Sequence, residues 1–109
     1  MTHVTIYTNQ TTAFTGFSCE GHAGYADAGE DIVCAGISTL VINTINAIEQ
    51  LTATSILADA DQDTGTIHVN FPSGCEAQAK LLVDAMILGL QGIQTNYGKK
   101  FLTLDFKEV

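Results

Sequence analysis

Apolar and polar residues alternate over Val4-Thr5-Ile6-Tyr7, the period of a half-buried β-strand. The polar run Asn9-Gln10-Thr11-Thr12 turns the chain. A second strand is expected from about Ala13 to Glu20, with Phe17 and Cys19 on one face. The two make a hairpin whose loop is not the tight two-residue kind. From Asp31 or Ile32 to about Thr52 the period changes. Ile37, Val41, Ile45 and Ile48 recur at helical spacing, and Leu40, Thr44 and Leu51 flank them, which predicts a long core helix. Its many β-branched residues lower its intrinsic propensity, so burial must hold it. Ser55-Ile56-Leu57-Ala58 reads as a short strand and residues 59–65 as a turn. Residues 66–71 alternate cleanly, with Ile67, Val69 and Phe71 inward. Pro72-Ser73-Gly74-Cys75-Glu76 opens a second helix, with Ser73 and Glu76 spaced as a capping box. Ala79, Leu82, Val83, Met86, Leu90 and Ile93 form its broad apolar face, and Asn96-Tyr97-Gly98 ends it. Residues 101–106 read as a closing strand with Leu102, Leu104 and Phe106 on one face.

The order β-β-α-β-β-α-β predicts an α+β two-layer sandwich, a mostly antiparallel sheet with both helices on one face. The 109 residues suit one domain spanning 1–109. Apolar residues make up 46% of the chain, enough for a packed core and against disorder. The outer sheet face and the second helix are both open to a dimer contact.

Charge narrows the partners. Twelve acidic residues face four lysines and no arginine, and the first lysine is Lys80. That argues against direct nucleic-acid binding, which needs basic groups to displace counterions. It suits a basic partner drawn in by long-range attraction. No stretch reads as long and uniformly apolar enough to span a membrane. Three cysteines, an odd number with no secretory signal ahead of them, point to free thiols in a reducing cytoplasm. No cofactor or metal is expected. The cysteines and histidines lack paired zinc spacing. Asp59, Asp61 and Asp63 resemble the opening of a calcium loop, but the glycine comes one position late and Asn70 stands where the closing glutamate belongs.

The chemistry concentrates in residues 21–38. His22 ends an extended segment, a loop with Gly24, Tyr25, Gly29 and Glu30 follows, and Cys34 lies near the start of the long helix. A thiolate is the reactive form of cysteine, and a free thiol with a pKa of about 8.5 is mostly protonated at neutral pH. An imidazole within reach can take the proton, and a helix N-terminus can stabilise the anion. With Asp31 as the helix cap, Cys34 falls about one turn in, and the first-turn amides, that of Cys34 among them, are candidate oxyanion donors. Ala35 and Gly36 leave room beside the sulfur. Asp31 either caps the helix or orients His22. Ser38 either bonds back to the Cys34 carbonyl or helps polarise His22 or substrate. The commoner fate of a cysteine near a helix start is simple packing. His3 is terminal and His68 faces outward, so neither competes with His22 as a base. Cys19 and Cys75 read as buried or incidental.

Gly21-His22-Ala23, followed by Gly29-x-Asp31-Ile32-Val33-Cys34-Ala35-Gly36-Ile37-Ser38, resembles the signature of the ribosomal-processing cysteine proteases, the Prp family. The resemblance implies a small bacterial cysteine protease domain that works as a homodimer. It implies cleavage of a basic N-terminal extension from ribosomal protein twenty-seven of the large subunit, after an apolar sequence ending in an aromatic residue. It places the family histidine on His22, the cysteine on Cys34, the aspartate on Asp31 and the serine on Ser38. The loop between the two reactive residues is expected to close over substrate. Two other readings compete. One is a non-catalytic acidic ribosome-associated binding protein. The other is a thiol redox protein, disfavoured by the lack of a Cys-x-x-Cys motif.

Overall fold

The computed structural model describes residues 2–10, 13–21, 28–61, 65–98 and 100–109, with the backbone alone for 28–31. The elements run β1 (Thr2–Asn9), β2 (Ala13–Glu20), α1 (Ala28–Leu51), β3 (Leu57–Asp61), β4 (Thr66–Asn70), α2 (Ala77–Tyr97) and β5 (Leu102–Glu108). The five strands form one sheet in the order β3-β4-β2-β1-β5. β5 joins β1 in parallel and the other three pairings are antiparallel. The expected order and the two-layer sandwich are both present, with the helices packed on one face.

Register decides what is buried. Val4 lies opposite Cys19 and Ile6 opposite Phe17, and Phe17 also lies opposite Val69 on β4. These side chains are buried and form the sheet half of the core. The register slips between Tyr7 and Thr8, so that Thr8 faces Phe14 while Tyr7 faces Gly16. Thr15 is the extra residue of this bulge. The bulge returns Phe14 to the core face, where strict alternation from Phe17 would turn it outward. The Thr15 carbonyl accepts the Phe71 N–H at 2.9 Å, which ties the end of β4 to the bulge. Gly16 follows from the same crowding. A Cβ there would sit 2.1 Å from the Val69 carbonyl oxygen, closer than any side chain tolerates.

The helical half of the core comes from Val33, Ile37, Val41, Ile45 and Ile48 of α1 and from Ala79, Val83, Met86, Ile87 and Leu90 of α2. This is the stripe that the 3.6-residue period predicts. The helices approach closely at Gly89, where a Cβ would meet the Leu40 side chain at 2.7 Å.

Several boundaries differ from expectation. α1 begins at Ala28, so Gly29 and Glu30 belong to its first turn rather than to a loop, and Asp31 is its fourth residue rather than its cap. Ala28 and Glu30 are good helix formers, and they carry the helix a turn earlier than the Asp31 signal suggests. β3 covers Leu57–Asp61, so Asp59 and Asp61 are strand residues, and Ser55 and Ile56 precede the strand. All five β3 residues are exposed, and pairing with β4 rather than burial defines the strand. The capping box of Ser73 and Glu76 does not form, because Glu76 is itself the N-cap and its side chain makes no capping bond. Its carboxylate instead accepts the Ala53 N–H at 3.2 Å, joining the start of α2 to the end of α1. Gly98 ends α2 as expected, its N–H donating to the Gln94 carbonyl at 2.9 Å. Finally, residues Ile32–Leu51 do have the length and apolar composition to cross a membrane, contrary to the sequence reading. Ile37, Val41 and Ile48 in that stretch are fully buried against the sheet and α2, and a core helix has this same composition.

Candidate active site

Three elements meet at one end of the sheet. β2 runs antiparallel to β1 and ends at Glu20, opposite His3. Gly21 follows with φ 96°, a left-handed conformation that lets the chain leave the strand. Thr2, one residue before His3, turns its side chain to the helical face, as Val4 and Ile6 do. There its hydroxyl oxygen lies 3.4 Å from the Cys34 sulfur. Cys34 therefore sits on α1 at the end of the sheet where β2 leads into His22. His22, Gly24 and Tyr25 themselves lie outside the described residues.

Cys34 is buried, with 6% of its surface exposed. The apolar cluster takes Val33 and Ile37 from the same turns of α1 but not Cys34. The next residues, Ala35 and Gly36, are exposed, and a Cβ on Gly36 would meet nothing within 4 Å. Ser38 is also exposed, and among the described residues it makes no bond to the Cys34 carbonyl. Thr44 makes that kind of bond, donating to the Leu40 carbonyl at 2.8 Å.

The earlier start of α1 changes the electrostatics. Cys34 is the seventh helical residue, about 9 Å along the axis from Ala28. The field of a helix end fades within the first turn. The Cys34 amide also lies within the helical ladder, bonded back toward Glu30, so it is not the free oxyanion donor expected from the sequence. Thr2 is the contact that sequence reasoning missed. It is 32 residues away, and no local pattern signals the meeting.

The other two thiols are held in their neutral form. Burial, with smaller contributions from Cys34 and Glu20, pushes Cys19 up to about 11. Burial first, then the Asp84 carboxylate, raises Cys75. Since the thiolate is the nucleophile, neither is suited to attack. Cys19 makes a prediction about stability. Its folded-state value is raised, so the folded chain binds more protons than the unfolded chain between its ordinary 9.0 and about 11. The contribution is fully present below pH 9 and is lost as pH rises toward 11, on the order of 2–3 kcal/mol. Urea unfolding at pH 8 to 11 is expected to show this decline, and Cys19→Ala to show a shallower one. Parallel slopes for the two proteins would contradict it.

Glu20, Asp59, Asp61, Thr66 and His68 line an open hollow next to the end of β2. Asp59 lies opposite His68 across the β3–β4 pair. No cluster of metal-ligating side chains occurs among the described residues. Asp63 of the calcium-like run lies outside them.

Comparison with known proteins assigns the family. The model of the cysteine protease Prp family matches residues 1–101. The ribosomal processing cysteine protease Prp of Bacillus subtilis is 32% identical over 101 residues, covering 89% of this chain and 90% of that protein. A crystal structure of the Staphylococcus aureus ribosomal processing protease Prp with a substrate peptide superposes with a TM-score of 0.89 at 30% identity, over 98% of this chain and 100% of that one. A second structure of the S. aureus protein, with a covalently linked product peptide, gives 0.86 at 31% identity over the same shares. The dense motif around Cys34, the shared sandwich and the whole-length match agree: the chain belongs to the Prp family and is a cysteine protease.

Proposed function

We propose that this protease removes a basic N-terminal extension from ribosomal protein twenty-seven of the large subunit, with Cys34 as nucleophile and His22 as general base. The observation that carries the reading is the position of Cys34: its sulfur lies at the sheet end where β2 leads into His22, in contact with Thr2. The covalently linked product peptide of the S. aureus relative supports a covalent route for that protein, and by similarity for this one.

In the proposed cycle His22 accepts the proton of the Cys34 thiol. The thiolate attacks the scissile carbonyl carbon, and the carbonyl oxygen takes the negative charge. Collapse breaks the C–N bond, and His22 returns the proton to the leaving amine. The extension remains as a thioester on Cys34. His22 then takes a proton from water as the water oxygen attacks the thioester; the C–S bond breaks, His22 returns its proton to the Cys34 sulfur, and the extension leaves as an acid that loses its proton to solvent. Exposed Ala35 and Gly36 give the substrate backbone access beside the sulfur. Asp31 and Ser38, one turn before and after Cys34 on α1, are supporting residues in this reading.

Charge supports the substrate class. The chain carries a net charge of −8, and the open hollow at the end of β2 is lined by three exposed carboxylates, those of Glu20, Asp59 and Asp61. A lysine-rich ribosomal segment is attracted to such a surface, and added salt weakens the attraction. We also place the enzyme in the reducing cytoplasm, as a homodimer. Three free thiols support the first point, and exposed Leu81 and Leu88 on one stripe of α2 support the second.

The test is incubation of the purified chain with a peptide spanning the extended ribosomal N-terminus, read by mass spectrometry. A single cut is expected, with two products whose masses sum to the peptide plus one water. An intact peptide after prolonged incubation with the folded enzyme would refute the proposed substrate.

A further inference from the structure

We infer that Thr2 is a positioning residue for the Cys34 nucleophile, its hydroxyl donating a hydrogen bond to the thiolate. The inference rests on the reading of Cys34 as nucleophile.

The need for such a group follows from the helix start. Cys34 lies nearly two turns into α1, beyond the free amides of the first turn, so the anion needs a donor from elsewhere. Thr2 supplies one. Its oxygen is 3.4 Å from the sulfur, and the two residues are 3% and 6% exposed. A buried hydroxyl keeps its hydrogen bond because bulk water cannot replace it.

Thr2 is also held in place. It begins β1 opposite Leu102 of β5, and its backbone N–H donates to the Phe101 carbonyl at 3.0 Å. Its β-branched side chain has few rotamers, so the strand sets where the hydroxyl points. The bond depends on protonation. While Cys34 is a thiol, either partner can donate. Once the proton leaves, the sulfur has no hydrogen and Thr2 alone can donate. A bond to an ionised acceptor is roughly twice as strong as a neutral one. The contact therefore persists through the reactive form, and it fixes the sulfur from the sheet side.

The test compares Thr2→Val, which keeps the shape and removes the hydroxyl, with Thr2→Ser, which keeps the hydroxyl. Both are made in the full chain with an untagged N-terminus. Two quantities are read at fixed pH: kcat and KM for the peptide, and the rate of Cys34 alkylation by iodoacetamide, separated from Cys19 and Cys75 by peptide mass mapping. Thr2→Val is expected to lower kcat and the alkylation rate roughly fivefold to tenfold, with KM changed less than about twofold. Thr2→Ser is expected to restore most of both. Wild-type rates in Thr2→Val would overturn the inference, as would a Thr2→Ser as slow as Thr2→Val, because a retained hydroxyl would then restore nothing. If Thr2→Val does not fold, Thr2→Ala against Thr2→Ser makes the same comparison. Cys34→Ala separates the two levels. Persistent cleavage in that variant sinks the nucleophile reading itself, whereas a dead Cys34→Ala beside a wild-type-like Thr2→Val sinks only the role of Thr2.

Discussion

Cys34→Ala is expected to reduce cleavage of the extension peptide by at least about three orders of magnitude while leaving peptide binding within a few-fold of the wild type. The reasoning is chemical. Without the sulfur no thioester forms, and His22 would have to activate water for direct attack on an amide. The remaining thiols do not substitute. Cys19 is buried in the core with its thiol held neutral to about pH 11, and Cys75 is raised too, beside the pocket at the start of α2. Binding should survive because Ala fits where a buried Cys fits, and the surrounding Val33 and Ile37 are anchored in the core without it. Single-turnover kinetics and peptide titration separate the two effects. A variant that loses binding in step with cleavage would point to a structural role for Cys34 instead.

The largest effect on stability is expected at Phe17. Its side chain is fully buried at the centre of the sheet, between Ile6 on β1 and Val69 on β4. Its ring meets that of Phe71 edge-on, with centroids 6.2 Å apart and planes at 61°. Phe17→Ala removes that edge contact and opens a cavity in the core, a loss of ~3–5 kcal/mol. Against a total stability of ~5–15 kcal/mol, this leaves a marginal fold. The expected fall in Tm is on the order of 20 °C, with Phe17→Leu losing considerably less. Thermal unfolding followed by circular dichroism reads it directly, and a fall of less than about 5 °C would mean that the sheet centre repacks freely. The same strand carries the chain to Gly21 and His22, so activity should be lost on heating along with the fold.

The sequence made legible those elements whose pattern and burial agree. Phe17 and Cys19 of β2 and Val69 of β4 share the face that meets the helices, and the stripe of α1 follows because Ile37, Val41, Ile45 and Ile48 all reach the core. The proposed roles of His22 and Cys34 rest on residue type and on their order along the chain. Elements set by tertiary pairing were not legible. β3 contains Asp59-Ala60-Asp61, fully exposed, and local polarity reads as a turn where pairing with β4 makes a strand. Asp31 has the chemistry of a cap, yet the helix continues a turn before it. Ser73 and Glu76 have capping-box spacing, but the Ala53 amide takes the Glu76 carboxylate. The Thr2–Cys34 contact lies furthest from any local signal. It exists only because the fold brings the start of β1 against α1 at Cys34, a consequence of topology rather than of either residue's neighbours.

The most direct measurement is covalent labelling by a halomethyl ketone built on the extension peptide, mapped by mass spectrometry in the wild type and in His22→Ala. The proposed pairing of Cys34 with His22 predicts one adduct, on Cys34, formed at least about a hundredfold more slowly in His22→Ala. Labelling centred on Cys19 or Cys75, or an equal rate in the two proteins, would contradict the pairing of that thiol with that ring.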